Sequence, residues 1–411
     1  MQQDRTILHC DLNGFYASVE CLLRPELCEV PMAVCGDPDS RHGIILAKNE
    51  LAKAYQVATA ETIWQAQRKC PNLTLVAPHH NEYYKYSRLV NKIYERFTDC
   101  VEPFGIDESW LDITGTMHLF GGDGKTVADA IRRTVKEELG LTVSVGVSFN
   151  KIYAKLGSDY KKPDATTVIS RGNYREIVYP LPVTALLYVG KAAAATLKLL
   201  GVRTIGDLAA ADRTLLAQRL GKMGEMIHDY AAGLDDSPVK SAYEEREVKS
   251  VGNGMTFRRN LLGLDDIKTG AAALADTVAA RLRHCGLDCH TVQVQVRDPD
   301  FKTISRQKTL VQPTHLAREI YEAALELILA SWKLNAPIRM LTITGANLLP
   351  QGSAEQLSLF GAENNLSRER QDKLEHTMDH IRSKFGRDAI STATVLGSDL
   401  GIKNEKPIDR S

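Results

Sequence analysis

The sequence predicts an α+β chain of several domains, on three observations. Strand-like apolar runs alternate with helical spacing over the first 165 residues. Residues 182–236 turn helical, and residues 250–346 return to the order strand, helix, strand, strand, helix, strand. At 411 residues the chain is too long for one small core and should divide into two to four domains.

Taken in order, Ile7-Leu8-His9-Cys10 ends a first strand, and helical spacing from Phe15 to Leu23 stops before Pro25. Ile44-Ile45-Leu46 is a short strand with a helix running through Ala54, and Leu73-Thr74-Leu75-Val76 is a strand after Pro71. Tyr84 to Phe97 has helical spacing, two strands flank Asp107, and a helix from Thr126 to Glu138 precedes the buried strand Val143 to Val147. The result is a split β-α-β arrangement with a hairpin in its middle. In the later domain, strands Val292 to Arg297 and Ile304 to Lys308 are expected to place Arg297, Arg306 and Lys308 on one polar face. Leu366 to Phe385 reads as an amphipathic helix and Ala389 to Leu396 as a strand, together a solvated appendage.

Fifty-one basic residues balance fifty-one acidic ones, so overall charge gives no support for nucleic-acid binding. Arg281 to Arg318, with seven Lys or Arg against three Asp, is a modest local exception. No run approaches a membrane span, and Met1-Gln2-Gln3-Asp4-Arg5 lacks a signal-peptide pattern, which points to the cytoplasm. Eight scattered cysteines fit reduced thiols. His284, Cys285, Cys289 and His290 could ligate zinc, but one short loop rarely closes a tetrahedral site, and a helix-to-strand turn is the better reading.

The chemistry-bearing residues are Asp11, at the end of the first strand, and the adjacent pair Asp107 and Glu108. Such carboxylates cannot gather in low dielectric unless positive charge neutralises them, and hard oxygen ligands with open positions suit Mg²⁺. By itself an acidic pair is ordinarily a solvated hairpin. Adjacent strand residues also face opposite ways, so Asp107 and Glu108 can share a site only if the chain bends there.

The surrounding residues change that reading. His9-Cys10-Asp11-Leu12-Asn13-Gly14-Phe15-Tyr16-Ala17-Ser18-Val19-Glu20 resembles the opening motif of the Y-family translesion DNA polymerases. Gly105-Ile106-Asp107-Glu108-Ser109-Trp110-Leu111-Asp112 resembles their second motif. Gly146-Val147-Ser148-Phe149-Asn150-Lys151-Ile152-Tyr153-Ala154-Lys155, followed by Lys162-Pro163, resembles their basic helix motif. The likeness runs from residue 5 to residue 350 and is nearest to the DinB-type branch.

The resemblance implies a right-hand polymerase fold. It would comprise a split β-α-β palm (1–13 and 74–165), small fingers (14–73), a helix-hairpin-helix thumb (166–236), a linker (237–248), a βαββαβ little finger (249–350) and a tail (351–411). It implies template-directed, error-prone synthesis without proofreading, by transfer of a nucleotide from a deoxynucleoside triphosphate to a primer 3′-hydroxyl on primer-template DNA. Asp11, Asp107, Glu108 and the Leu12 carbonyl would hold two Mg²⁺ ions, roughly 3.5–4 Å apart in two-metal sites. Tyr16 would be the steric gate against ribose, with Phe15 packed beneath it, and Lys162 a triphosphate ligand. Lys151 and Lys155 on the basic helix, Gly190 and Lys191 in the hairpin, and Arg297, Arg306 and Lys308 would contact DNA.

Two places depart from the pattern. Where the family carries Thr, Tyr and Arg on the triphosphate, this chain has Ala47, Glu50 and Lys53. Lys53 lacks the fork of arginine, and Glu50 would repel phosphate unless paired with Lys48 or Lys53. Tyr188 stands where the hairpin usually has glycine. Finally, Gln356-Leu357-Ser358-Leu359-Phe360 matches the peptide that docks on the sliding clamp. A monomer meets all these requirements. Two other readings remain open: a catalytically weakened, clamp-tethered DNA-binding protein, and a nucleotidyl cyclase on a comparable palm.

Overall fold

A computed structural model describes residues 4–36, 43–244, 247–353, 362–386 and 389–402. The chain divides into two compact units, Met1–Glu245 and Arg246–Pro407.

The first unit opens with β1 (Ile7–Leu12), every residue of it buried, and α1 (Phe15–Leu23), entered through Gly14 at φ 53. β2 (Met32–Cys35), β3 (Ile45–Lys48), α2 (Glu50–Ala54), α3 (Ile63–Lys69) and β4 (Thr74–Val76) follow. Asn49 caps α2, and Thr62 and Gln65 form a reciprocal capping box on α3. Next come α4 (His80–Tyr94), β5 (Val101–Pro103), β6 (Glu108–Asp112), α5 (Gly124–Leu139), β7 (Val143–Ser148), α6 (Lys151–Tyr160) and β8 (Thr166–Ile169).

Five strands form one sheet in the order β5-β6-β1-β7-β8, while β3-β2-β4 form a separate three-stranded sheet. Two edges of the expected division therefore fall differently. β4, expected to begin the palm at residue 74, pairs in parallel with β2, a strand too short to announce itself in sequence. β8, expected beyond the palm, pairs in parallel with β7 and extends the larger sheet to Ile169. One face of the larger sheet packs on α4 and α5 through Leu8, Cys10, Leu111, Tyr83, Ile93 and Ile131. The remaining helices of this unit, α7 (Tyr174–Ile177), α8 (Lys191–Leu199), α9 (Ile205–Ala210), α10 (Arg213–Leu220) and α11 (Lys222–Ala231), share a core with Phe149, Tyr153 and Leu156.

The second unit contains β9 (Ser250–Leu261), α12 (Gly263–His284), β10 (Leu287–Arg297), β11 (Thr303–Thr314), α13 (Ala317–Ser331), β12 (Ile338–Pro350) and α14 (Ala362–Phe385). Its sheet runs β11-β10-β12-β9, with α12 and α13 covering Val292, Val294, Val296, Leu341 and Ile343. The register corrects the expected basic face. Arg306 lies opposite Val294 and Lys308 opposite Val292, so both sit on the helix side, and Lys308 bonds Glu326 of α13 at 2.5 Å. Arg297 pairs with Thr303 and shares the open face with Gln293, Gln295, Ser305 and Gln307. Cross-strand partners share a face, and the turn between the two strands sets Arg306 and Lys308 out of phase with Arg297.

The tail is no loose appendage. Arg283, buried on α12, bonds Glu375 and, at 2.6 Å, Asp379 of α14. Arg382 reaches Asp276 at 3.0 Å, and Leu400 is buried in the second core. Residues 390–396 form turns rather than the expected strand, with Leu396 exposed. Cys285 is exposed while Cys289 is buried against Gly345, as the turn reading requires. The peptide 356–360 lies outside the described residues.

Candidate active site

The acidic cluster is built by strand pairing. Asp11 on β1 lies directly opposite Glu108 on β6, which puts two like charges across a ladder. The required bend is present: residues 105–107 leave the extended conformation, Phe104 N–H donates to the Glu108 carbonyl at 2.8 Å, and Leu12 N–H to that of Asp107 at 3.0 Å. Asp107 is thereby tied to the end of β1.

α6 lies on the sheet face that carries His9, Asp11, Glu108 and Trp110. Its approach depends on two glycines. A Cβ on Gly146 of β7 would lie 1.9 Å from the Ala154 carbonyl oxygen, and one on Gly157 of α6 would lie 2.9 Å from the Gly146 Cα. At this spacing Lys155 Nζ sits 3.1 Å from Asp11 and 2.9 Å from Glu108. Lys162, in the loop after α6, reaches Asp11 at 2.8 Å, and both lysines also pair with Asp159, at 3.3 and 2.9 Å. The Lys162 loop is held by Asp164, whose N–H donates to Asn13 Oδ1 at 2.8 Å and whose carboxylate accepts from Arg132 and Lys136.

The charges do not balance. Among the described residues, four carboxylates (Asp11, Asp107, Glu108, Asp159) face two ammonium groups, and burial depresses the His9 pKa and favours its neutral form. Burial and then the negative charges of Asp11 and Glu108 push the Asp107 carboxyl up to about 6. Burial alone would also raise Glu108, but the His9 edge and the Lys155 ammonium outweigh it and hold it down to about 2. Burial opposes the charge on Lys155 and Lys162, yet Asp11 and their other acidic partners raise both. His9 Nδ1 contacts Ser158 Oγ at 2.8 Å, and its buried Nε2, 3.5 Å from Glu108, has no hydrogen-bond partner among the described residues. A cluster of hard oxygens short of positive charge, with one carboxylate lacking an ammonium partner among the described residues, fits divalent cations.

Beside the cluster, Tyr16 is half-buried and stacks on Tyr83, with centroids 4.1 Å apart and planes at 13°. Phe15 is buried and tilted at 5.8 Å, so Tyr83, which sequence reading missed, is the ring in face contact with Tyr16. Buried Glu20 anchors the group, accepting from Tyr83 OH at 2.5 Å and Arg24 at 3.0 Å and contacting His79 Nδ1 at 2.8 Å. The Tyr-Tyr pair at 83–84 on a helix, and a glutamate on the apolar face of α1, were the available signals.

Other expected contacts sort unevenly. Lys151 is buried, bonded to Glu102 at 2.7 Å and set over the Trp110 ring, and Lys155 is committed to the acidic cluster. Neither is free to meet a DNA backbone, because the sheet face they cover takes both ammonium groups. Of the two lysines weighed for Glu50, Lys53 pairs with it at 3.2 Å, and Lys48 donates to Thr59 at 3.2 Å. Gly190 caps α8 without a side-chain bond, Lys191 is exposed, and Tyr188 holds φ 68 in the left-handed region that favours glycine.

Sequence comparison matches residues 10–159 to the impB/mucB/samB family and residues 248–359 to that family's C-terminal domain. The chain is 45% identical over 398 residues to DNA polymerase IV of Acetivibrio thermocellus, covering 97% of this chain and 99% of that one. It is 35% identical over 396 residues to DNA polymerase IV of Clostridium kluyveri, covering 95% and 98%. Among solved structures, a Y-family DNA polymerase chimera superposes with a TM-score of 0.73 at 22% identity, over 84% of this chain and all of that one. The chain therefore belongs to the impB/mucB/samB family and is a Y-family, DinB-type DNA polymerase of the translesion class.

Proposed function

We propose that Asp11, Asp107 and Glu108, with the Leu12 carbonyl, hold the catalytic metal, two Mg²⁺ ions, for nucleotide transfer to a primer end. The unbalanced acidic cluster carries this reading, since hard carboxylate oxygens lacking positive charge suit Mg²⁺. Metal bound there would lower the pKa of the primer hydroxyl and stabilise charge on the leaving pyrophosphate. Lys162, about one-third exposed, is placed to exchange Asp11 for a triphosphate oxygen, whereas the more buried Lys155 holds Asp11 and Glu108 in register. Tyr16, braced by Tyr83, excludes the ribose 2′-hydroxyl. The Glu50–Lys53 pair takes the place of a triphosphate fork, which leaves Lys162 and Lys48 as the cationic contributors. The helix-free sheet face with Gln293, Gln295 and Arg297, and the amides at Gly190 and Lys191, suit a phosphate backbone. Gln356–Phe360 docks a sliding clamp, and a single chain suffices.

One primer-extension assay tests these assignments. With Mg²⁺ and four deoxynucleotides, wild type should extend in short runs, and Asp107→Ala should lose at least about a hundredfold in rate while keeping DNA binding. Deleting residues 356–360 should remove stimulation by a clamp and leave unaided extension intact. Full activity in Asp107→Ala would remove that carboxylate from the site.

A further inference from the structure

A second polar cluster lies in the other unit, where the tail helix meets the start of α13. His315 has a carboxylate at each ring nitrogen: Nδ1 is 2.5 Å from Asp288 Oδ1, and Nε2 is 2.6 Å from Asp372 Oδ1 on α14. Gln351 Nε2 lies 3.2 Å from the same Nδ1. His376, one turn beyond Asp372, brings its Nε2 to 3.4 Å from Asp372 Oδ1. Donor atoms of His315, Asp372 and His376 all lie within 4.8 Å of one another.

Neutral imidazole carries one proton. If Nδ1–H donates to Asp288, the Nε2 lone pair points straight at a carboxylate oxygen, an arrangement that demands a cation between them. A second proton would meet that demand, but it gives no role to His376. A metal ion uses all three donors. Tetrahedral bonds of about 2.0–2.1 Å place ligand atoms roughly 3.3 Å apart. The His376–Asp372 spacing already has this value, and rotation of the partly exposed Asp372 opens the spacing to His315. Asp288 behind His315 is the orienting carboxylate that metal-bound histidines regularly have.

We infer that His315, Asp372 and His376 bind a divalent transition ion of the zinc type, with Asp288 positioning His315 and one coordination place left for water. Two imidazole donors select zinc-like ions over Mg²⁺ or Ca²⁺. The ion would staple α14 to the connection between β11 and α13, in addition to the Arg283 and Arg382 ion pairs.

The experiment uses the full chain, stripped with a chelator and titrated with Co²⁺ at pH 7.5 without Mg²⁺. The visible absorption band of four- or five-coordinate Co²⁺ should rise to one equivalent and be displaced by Zn²⁺. His376→Ala, a change at an exposed side chain, should weaken binding at least about tenfold, and His315→Gln should abolish it. Asp107→Ala should leave the band unchanged, which separates this site from the polymerase centre. No such band, or one indifferent to both histidine changes, would overturn the metal site and leave a proton-bridged clasp.

Discussion

In the function proposed above, chemistry rests on Asp107 and sugar selectivity on Tyr16. Asp107 has no ammonium partner among the described residues, and burial with two neighbouring carboxylates raises its proton affinity. Tyr16 stands close enough for Asp107 to help raise its phenol, after burial. Tyr16→Ala should raise ribonucleotide incorporation at least about tenfold, some 1.4 kcal/mol of lost discrimination, with deoxynucleotide extension retained. Competing ribo- and deoxynucleotides in one extension reaction measures this, and unchanged sugar preference would acquit the ring. Behind the Tyr16–Tyr83 pair, burial would raise the Glu20 carboxyl, but Tyr83, His79 and Arg24 outweigh it and bring it below 4.5. A depressed folded pKa gives stability that is present above 4.5 and lost as pH falls through the folded value. Glu20→Gln should flatten that acid limb in thermal melts between pH 3 and 6. An unchanged slope would show that Glu20 contributes none of it. The carboxylates and Tyr16 could be singled out in the sequence because each sits in a long motif. Tyr83 could not, because its partners Tyr16 and Glu20 are distant in sequence, and Asp159, though it pairs locally with Lys155 and Lys162, joins the acidic cluster only once α6 is laid on the sheet.

Close approach of α6 to β7 sets the site at the scale of elements. Gly146 leaves room for the Ala154 carbonyl and the Ser158 amide, and backbone cannot yield as a flexible side chain can. Gly146→Ala should destabilise the first unit by about 3 kcal/mol by overpacking. It should also separate Lys155 from Asp11. Denaturant unfolding measures the first effect, and a loss below about 0.5 kcal/mol would contradict the close packing. Strands and helices with clear period were legible to within a few residues, as with Phe15–Leu23 and the βαββαβ order. What sequence could not settle was pairing. The short run Met32-Ala33-Val34-Cys35 gave no sign that it would capture β4. Alternation within two separate strands also could not fix their relative phase, so Arg306 and Lys308 were assigned to the wrong face.

Across the whole chain, the two units carry different burdens. The first holds the acidic cluster and the stacked Tyr16–Tyr83 pair. The second is a four-stranded sheet with two helices, and ion pairs from buried Arg283 and from Arg382 fasten a third helix to it. Arg283 belongs to the local basic excess between Arg281 and Arg318, and its use inside the fold explains why such an excess is a weak guide to nucleic-acid contact. The tail's docking was illegible because it depends on single charged residues nearly a hundred positions apart. Among the described residues no helix is long and apolar enough to cross a membrane.

The most direct test of the central claim counts metal ions rather than products. Mn²⁺, a paramagnetic substitute for Mg²⁺, can be titrated by electron paramagnetic resonance into the polymerase bound to primer-template and a non-hydrolysable deoxynucleotide. Wild type should take up two ions that Mg²⁺ displaces, and Asp107→Ala should lose at least one of them. Equal occupancy in the two proteins would contradict the assignment of the acidic cluster as the metal centre.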